Sequence, residues 1–412
     1  MSDRGQRFDT TEIDTAKYQQ KTENRRQKRR NRRESRVPRW VYRIIVILIL
    51  CVFTMLIWFN RNNLTPSNVL EWVQNSVVGM GIGDGFPTKI AGNTVLKGNF
   101  QSVNKEAVIV SDTALTVLNS TAKAVVSRQH SFSRPVMKVN GNRILIYSLG
   151  GKGYRIETQS KTLFKEDDPQ DILAGTLAAN GRYALITEAD GYLGCLTAYT
   201  ADNKILFHYW FSDYYPTAVA LSPDGTKAAV AAVGAKDGTM TSAVYLLNFS
   251  NSKPVEPAAV YPENMMMDIS CSDNGTVTAV GDRLTAVIGA DGKTKTNFDY
   301  QGLHLAAYSM NNGKTALGLA PYGSAGNGKL VVLDDTGTAA ASVPFAKSVD
   351  SVSLYADAMA VLSQGQVHFY SATAGTSTGT CDAGSDARAI ALHDETSVYI
   401  LGVSEIRLAN SK

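Results

Sequence analysis

Residues whose types could handle phosphate lie together in one short stretch, GSAGNGKLVVLDDTGT, from Gly323 to Thr338. Gly323 and Gly328-Lys329 fit G-x-x-x-x-G-K, a loop in which backbone N–H groups and a lysine hold phosphate groups. The run DDTGT that begins at Asp334 fits D-x-T-G-T, in which an aspartate would accept a phosphoryl group. Each pattern requires a particular secondary structure around it, so the surrounding elements decide whether this chemistry is feasible.

Both phosphate patterns lack the elements that they need. Leu330 replaces the Ser or Thr that would bind magnesium, and a strand pattern follows Lys329 where a helix N-terminus should receive the phosphate. No helical periodicity follows Asp334, and the run KLVVLDDTGTAAASV is in register with three similar runs elsewhere in the chain. The sequence therefore predicts a hairpin turn at Asp334, and the chain is predicted not to be an enzyme.

Turn signals recur at regular intervals along most of the chain. Asn-Gly or Asp-Gly pairs, each between short apolar runs, predict tight hairpin turns. They begin at Asn140, Asn180, Asp224, Asn274 and Asn312. The spacings of 40, 44, 50 and 38 residues are typical of one blade of a β-propeller. Weaker turns that extend the series to eight units are Asn104-Lys105, Ala356-Asp357 and Asp394-Glu395.

These repeats predict an all-β fold, a β-propeller of about eight four-stranded blades over residues 87–412. One unit shows the plan, with TAVALS, KAAVAAV, AVYLLNF and KPVEPAAVY as four strands separated by turns. The last unit has only three strands, so residues 88–97 are predicted to supply its fourth strand and close the ring. Seven blades are the alternative if two weak units merge.

The chain before the predicted propeller contains one long apolar run. Residues 40–59, WVYRIIVILILCVFTMLIWF, are interrupted only by Arg43, and a helix of this length matches the hydrocarbon thickness of a bilayer, about 30 Å. We expect one uncleaved transmembrane helix, since no A-x-A cleavage site follows it. Residues 60–86 are predicted to form a stalk with a short amphipathic helix over 66–78.

Charge is distributed unevenly about this apolar run. Residues 1–43 carry fourteen Lys or Arg and six Asp or Glu, whereas no Lys or Arg occurs between Arg61 and Lys89. The positive-inside rule then places residues 1–39, a predicted disordered tail, in the cytoplasm and the propeller outside the membrane. Nucleic acid is one ligand for such a basic tail, but no aromatic residue interleaves its basic cluster. We expect the tail to lie near anionic lipid instead.

The remaining polar residues predict no catalytic residues, no metal site and no cofactor. The five histidines are scattered without metal-ligand spacing, and the acidic residues Glu166, Asp167, Asp168 and Asp171 lack the spacing of a calcium loop. Cys51 lies in the apolar run, which leaves three widely spaced cysteines without a C-x-x-C pattern. We therefore expect at least one free thiol.

Aromatic residues and methionines are concentrated in the connections between predicted blades. The segments HYWFSDYYP, YPENMMM and DYQGLH occupy three successive junctions, and such residues are enriched at the centres of protein interfaces. The candidate partner-binding residues are Asp213, Tyr214, Tyr215, Tyr261, Glu263 and Tyr300. Burial between blades is the alternative for many of these side chains. Only the first three are placed by the pattern in a loop.

The order of segments also resembles a known family. A basic head, a single apolar span, a short helix, the glycine-rich GMGIGDGFP of residues 79–87 and a degenerate propeller resemble an uncharacterised family of membrane-anchored proteins from clostridia-like Gram-positive bacteria. The run LSPDGTKAAVAAV is similar to WD-repeat and quinoprotein-type propellers, but their Trp-Asp dipeptide and tryptophan docking motifs are missing. The resemblance implies an architecture and a location, and it implies neither a cofactor nor an activity.

Two classes of function remain. We expect a membrane-tethered extracytoplasmic scaffold that binds another protein of the bacterial cell envelope. The alternative is a receptor for a small ligand or glycan, or an enzyme on the same fold. A recurrent protein partner would favour the scaffold, whereas ligand binding without such a partner would favour the receptor.

Overall fold

The computed structural model describes residues 39–59, 81–251, 253–323 and 328–412. The chain divides into two compact units, Met1–Arg61 and Asn62–Lys412. The basic tail and the predicted amphipathic helix at 66–78 lie outside the described residues.

The described part of the first unit is one helix, α1 (Arg39–Phe59), which agrees with the predicted bounds of 40–59. Most of its described apolar side chains are exposed, among them Ile47, Leu50 and Met55. No helix in the described part of the chain combines the length and the hydropathy of a membrane span. The helix itself is confirmed, and its insertion in a membrane stays a prediction.

The second unit consists of β-strands, which form eight sheets of four antiparallel strands each. The first strand, β1 (Thr88–Lys89), belongs to the last sheet. Blades 1 to 4 follow along the chain: β2 Val95–Val103, β3 Glu106–Ser111, β4 Ala114–Leu118 and β5 Ala124–Gln129; β6 Pro135–Asn140, β7 Arg143–Ser148, β8 Gly153–Glu157 and β9 Thr162–Asp167; β10 Ile172–Leu177, β11 Tyr183–Ala189, β12 Tyr192–Tyr199 and β13 Ile205–Phe211; β14 Tyr215–Leu221, β15 Lys227–Lys236, β16 Thr239–Asn248 and β17 Ala259–Pro262.

Blades 5 to 8 repeat the same plan. Their strands are β18 Met266–Cys271, β19 Val277–Gly281, β20 Leu284–Ile288 and β21 Lys295–Asp299; β22 His304–Asn311, β23 Lys314–Ala320, β24 Lys329–Leu333 and β25 Ala339–Pro344; β26 Ser351–Tyr355, β27 Ala358–Ser363, β28 Gln366–Ser371 and β29 Ser377–Asp382; β30 Ala389–Leu392, β31 Ser397–Leu401 and β32 Glu405–Asn410. The eight-bladed propeller is thereby confirmed, and the seven-bladed alternative is wrong.

The ring is closed by a strand from the beginning of the propeller. Thr88 pairs with Ile406 and Lys89 pairs with Glu405, so β1 is the fourth strand of blade 8. The predicted closure is confirmed, but its predicted length of residues 88–97 is too long. Val95 already pairs with Ser111 in blade 1, because residues 90–94 form the connection between the two blades.

Antiparallel order within each blade assigns every connection to one of two faces. The turns between first and second strands lie on one face, which we call the lower face. The connections from one blade to the next lie on the opposite, upper face. The predicted turns are present on the lower face. Asn104 and Lys105 both have positive φ, 52° and 65°, the backbone of a two-residue hairpin turn with primed geometry.

Packing between blades explains why the middle strands are apolar on both faces. All residues of β7, β19 and β27 are buried, because each sheet is covered by a neighbour on either side. One apolar cluster joins blades 4 and 5 through side chains such as Val244 and Ile269. Burial of this kind contributes about 25 cal/mol per Å² of apolar surface, and it is continuous around the ring.

The glycine-rich segment before β1 lies against the lower face. Gly83 N donates to Thr121 Oγ1 at 2.9 Å, and Gly85 N donates to Thr121 O at 3.1 Å. A Cβ at Gly83 would lie only 2.3 Å from Lys123 N, so this close approach requires glycine. The chain therefore enters the propeller from the lower face, beside blade 1.

One ion pair crosses the central channel. Lys138 is on the inner strand of blade 2 and Asp268 is on the inner strand of blade 5, and their Nζ and Oδ1 atoms are 3.8 Å apart. The hydroxyl of Tyr308, on the inner strand of blade 6, donates to Asp268 Oδ2 at 3.2 Å. Because blades 2 and 5 are three positions apart in the ring of eight, this contact spans the channel.

Candidate functional site

The connection between blades 3 and 4 is shorter than the sequence pattern predicted. β13 ends at Phe211 and β14 begins at Tyr215, so only residues 212–214 form the loop on the upper face. Asp213 is exposed in this loop, as predicted. Tyr215 is instead the first residue of a strand, opposite Val233, because the first strand begins earlier than TAVALS. Its side chain is nevertheless 37% exposed.

Tyr214 lies in the loop, but its side chain is half-buried and packs against the blade beneath the loop. Its ring packs edge-on against Tyr245, with centroids 6.3 Å apart. A Cβ at Gly234 would lie 2.9 Å from Tyr214 Cδ1, so the glycine makes room for the ring. Tyr214 therefore positions its neighbour Tyr215, whose own pKa is raised by partial burial and by the nearby charge of Glu188.

Two of the predicted partner-binding residues lie in the core. Tyr300 is fully buried, and its hydroxyl donates to Gly281 O at 3.1 Å and is 2.7 Å from Thr285 Oγ1. Tyr261 is buried in β17, where burial raises its pKa to about 12. Both side chains pack between blades and do not contribute to a partner surface, which corrects the prediction. Alternation along β17 turns the ring of Tyr261 inward, and the ring of Tyr300, directly after β21, is held inward by its hydrogen bonds.

Glu263 lies in the connection between blades 4 and 5, which the neighbouring hairpin holds in place. Its carboxylate forms an exposed ion pair with Arg283, 3.0 Å away. The next residue, Asn264, is buried, and its Oδ1 accepts hydrogen bonds from the backbone N–H groups of Arg283 and Leu284, each at 3.1 Å. Met265 N donates to Asp282 Oδ1 at 2.7 Å. The loop 263–265 is thus preorganised by three hydrogen bonds to one hairpin.

Exposed methionines surround this loop. Met240 is 40% exposed, and Met265 and Met267 are each 41% exposed. Met240 O accepts a hydrogen bond from Glu263 N at 2.8 Å, which joins the hairpin of blade 4 to the loop. We call the side chains of Tyr215, Met240, Met265 and Met267 the tyrosine–methionine surface. It lies on the upper face, with the three methionines at the junction of blades 4 and 5 and Tyr215 at the start of the inner strand of blade 4, near Glu188 of blade 3.

Sequence reasoning identified part of this surface and missed the rest. The sequence prediction included the run YPENMMM as an interface segment. Alternation about the buried Met266 is the signal that places Met265 and Met267 outward. Met240 was missed because it lies outside the predicted junctions. It is near the beginning of β16, in a hairpin whose two strands of ten residues are the longest of the described propeller. The spacing of 50 residues from Asp224 to Asn274, the longest of the series, indicates that this unit is longer but not where the added residues lie.

The phosphate patterns lie at the two ends of one strand. Lys329 is the first residue of β24, on the upper side, where its Nζ lies 5.6 Å from the centre of the Phe298 ring. Asp334 follows the last residue of β24, on the lower face, so five residues of strand, about 17 Å, separate the two. Residues 324–327 of the loop before Lys329 lie outside the described residues.

Asp334 is engaged by its own hairpin turn. Its Oδ1 accepts hydrogen bonds from Thr336 N at 2.9 Å, Thr336 Oγ1 at 2.6 Å and Thr338 N at 3.0 Å. Partial burial alone would raise the pKa of this carboxyl, but the hydrogen bonds outweigh it and hold the pKa below its ordinary value. The predicted hairpin turn is confirmed, and the D-x-T-G-T pattern reflects the capping of that turn.

Groups of metal-binding side chains and grooves are the other features by which the described residues could bind a ligand. Among them, no group of three or more His, Cys, Asp or Glu side chains has the geometry to hold a metal. An open groove of about 510 Å³ lies between the lower turns of blades 4 and 5, with Asp224 and Asp291 at its rim. Asp224 accepts hydrogen bonds from Ser222 and Thr226, and Asp291 from Thr294, so both carboxylates are occupied by their own turns.

Solved structures with a similar fold are numerous: 953 chains match, so the fold alone does not indicate a function. The C-terminal WD40 domain of Sif2 is similar with a TM-score of 0.53 and 9% identity, over 80% of this chain and 99% of that chain. BamB from Moraxella catarrhalis is similar with a TM-score of 0.48 and 11% identity, over 78% of this chain and 100% of that chain. At such identities the similarity shows the fold alone. It confirms the predicted likeness to WD-repeat propellers.

No curated protein sequence is significantly similar to the chain. The predicted likeness to a clostridial membrane-anchored family stays a prediction. One family model, described as a family of unknown function (DUF5711), matches residues 88–407. The match begins in β1 and ends in β32, the two strands that close the ring, and therefore covers all eight blades. The chain belongs to this DUF5711 family.

Proposed function

We propose that the chain is a membrane-tethered scaffold whose propeller lies outside the cytoplasm and binds another protein of the bacterial cell envelope. The observation that carries the proposal is the tyrosine–methionine surface, four exposed large side chains on the upper face, of which the three methionines surround a preorganised loop. Tyrosine and methionine are enriched at the centres of protein interfaces, and a loop that is already ordered costs little entropy on binding. Methionine side chains also adapt to an uneven partner surface.

The tether is proposed from the amino-acid sequence. Residues 40–59 are apolar except for Arg43, and the positive charge precedes them. In this arrangement the basic tail faces the cytoplasm and contacts anionic lipid, and the propeller is outside. Because the chain enters the propeller at the lower face, beside Thr121, the upper face is directed away from the entering segment. A partner therefore has free access to the tyrosine–methionine surface.

Removal of two side chains from this surface tests the proposal. The double variant Tyr215→Ala and Met265→Ala should reduce capture of the envelope partner about thirtyfold or more, because one central interface side chain contributes on the order of 2 kcal/mol. Capture is measured by crosslinking in intact cells, followed by quantitative mass spectrometry of the purified full-length protein. Thermal unfolding of the variant should be nearly unchanged, since both side chains are exposed.

Tyr322→Ala is the matched control, because this tyrosine is 75% exposed on the same face but belongs to blade 6. It should leave capture unchanged. Undiminished capture by a folded double variant would show that the partner binds elsewhere. Loss of the folded state in the double variant would instead assign Tyr215 and Met265 to packing.

A further inference from the structure

The rim of blade 3 differs from the rims of the other blades. Its outer strand, β13, has seven residues, ILFHYWF, and is the longest of the eight outer strands. Within the described part of the chain no fifth strand pairs with it, and no backbone hydrogen bond outside the sheet ladder involves residues 205–211. The outward-facing N–H and C=O groups of β13 are therefore a free template for another strand.

Aromatic side chains cover the side of this strand that faces blade 2. Trp210, the only tryptophan after residue 72, is 51% exposed, and Tyr192 on the neighbouring strand is 52% exposed. Their ring centroids are 6.3 Å apart, and the ring of His208 stacks on Trp210 at 5.5 Å. Leu193 and Leu206, in the same two strands, are also exposed. The opposite side of β13 is occupied, since Phe207 and Phe211 are buried against blade 4.

Exposed carboxylates border this aromatic surface, and one of them, Asp190, accepts a hydrogen bond from Gln170 Nε2 at 3.4 Å. Glu188 and Asp190 are exposed at the hairpin that leads into Tyr192, and Glu166 and Asp167 are exposed on the outer strand of blade 2. None of these four forms an ion pair with another described residue. The exposed cations of this region include Lys165, Lys152, whose carbonyl accepts a hydrogen bond from Asp168 N, and Lys204, which precedes β13. Asp168 also lies near this side of blade 3. Burial and the negative charge of Asp168 raise the pKa of the Cys195 thiol.

We propose that the rim of blade 3 binds an extended segment of a protein partner, rich in Lys or Arg and in apolar residues, which adds to β13 as a fifth strand. Backbone hydrogen bonds to β13 supply affinity, and the alternating side chains supply specificity. Apolar side chains of the segment pack on Trp210 and Tyr192, while its cations meet Glu188 and Asp190 and the face of the indole ring. This site uses none of the residues of the tyrosine–methionine surface, and it does not depend on the scaffold proposal.

The probe is a fluorescein-labelled peptide of seven residues, the length of β13, with tyrosine, valine and lysine at alternate positions, so that all of them face one side of the strand, and threonine at the remaining positions. Its binding to the purified full-length protein is measured by fluorescence anisotropy. A matched peptide with glutamate in place of lysine should bind about tenfold or more weakly. Two further peptides carry N-methyl groups on alternate residues, in one phase or the other. Because a strand uses only every second N–H group towards one neighbour, one phase should abolish binding and the other should leave it nearly intact.

Variants of the protein separate the aromatic and the acidic contributions. Trp210→Ala should weaken binding of the lysine peptide about thirtyfold. Glu188→Lys with Asp190→Lys should weaken it about tenfold, and the difference from the wild type should shrink in high salt. Asp202→Lys is the matched charge control, since Asp202 is exposed in a lower turn of the same blade and should have no effect. Each variant is checked for an unchanged circular dichroism spectrum.

Several results would overturn the proposal. One is the absence of saturable binding by the wild type, and another is equal binding by a folded Trp210→Ala protein. Equal loss with both N-methyl phases would exclude strand addition. If the wild type self-associates in sedimentation experiments and Trp210→Ala abolishes this, the occupant of the rim is a second copy of the chain, and the basic-segment proposal is wrong.

Discussion

At the scale of single residues, two glutamates show how burial changes the role of the same charge. Glu157 is 1% exposed, and its carboxylate lies 2.8 Å from Arg128 of blade 1 and 2.9 Å from Arg155 of its own blade. Glu263 is 68% exposed, and its partner Arg283 is 62% exposed. The first carboxylate compensates two partly buried cations, one from each of two neighbouring blades. The second is screened by water and can contribute to a partner surface instead.

Removal of the two charges should therefore have different effects on stability. Glu157→Gln should lower the free energy of unfolding by about 3 kcal/mol, because the arginines beside it lose their counter-charge. Glu263→Gln should change it by about 0.5 kcal/mol or less. Urea unfolding of the full-length proteins, followed by circular dichroism, measures both changes. Similar effects of the two substitutions would contradict this account of the junction between blades 1 and 2.

At the scale of elements, the ring depends on a very short strand. β1 has two residues and makes two strand pairs with β32, and one further backbone hydrogen bond runs from Ile90 N to Ser404 O at 3.0 Å. All other blades are closed by strands of four residues or more. Blade 8 is thus the junction at which the two ends of the propeller meet, and its pairing links residues that are far apart in sequence.

A disulfide across this junction should stabilise the whole ring. Lys89 and Glu405 are strand partners, and antiparallel partners have Cα distances of about 4.5 to 5.5 Å, within the range of disulfides. Lys89→Cys with Glu405→Cys should raise the free energy of unfolding by about 4 kcal/mol when oxidised, since it closes a very long loop of the unfolded chain. Thermal unfolding with and without reductant measures the gain, and the single variant Lys89→Cys is the control. An oxidised protein that melts with the reduced one would contradict the pairing of β1 with β32.

At the scale of the whole molecule, the basic tail, α1 and the propeller are proposed to lie in three environments. Protease is added to intact cells whose wall has been removed. The propeller should be digested, and an epitope placed before residue 39 should survive, because the membrane protects the tail. Detergent lysis is the control and should make the tail accessible. Digestion of the epitope in intact cells would reverse the orientation, and survival of the propeller would contradict its external location.

The amino-acid sequence by itself determined the repeat, the turns and the ring closure. These depend on local signals: Asn-Gly and Asp-Gly pairs set hairpin turns, and continuous apolar runs mark strands that are buried on both faces. The same signals identified the turn at Asp334, which the structure confirms, and placed Asp213 in an exposed loop.

Only the tertiary structure decided which side chains form a surface. Tyr215, Tyr261 and Tyr300 have the same side chain and similar sequence surroundings, yet one is exposed and two are buried. The difference arises because exposure depends on where a strand begins and on which neighbouring blade covers it. The rim of blade 3 and the partners of Glu157 depend likewise on residues from another blade. Contacts between segments that are distant in the chain are set by the packing of the ring, and no local pattern contains them.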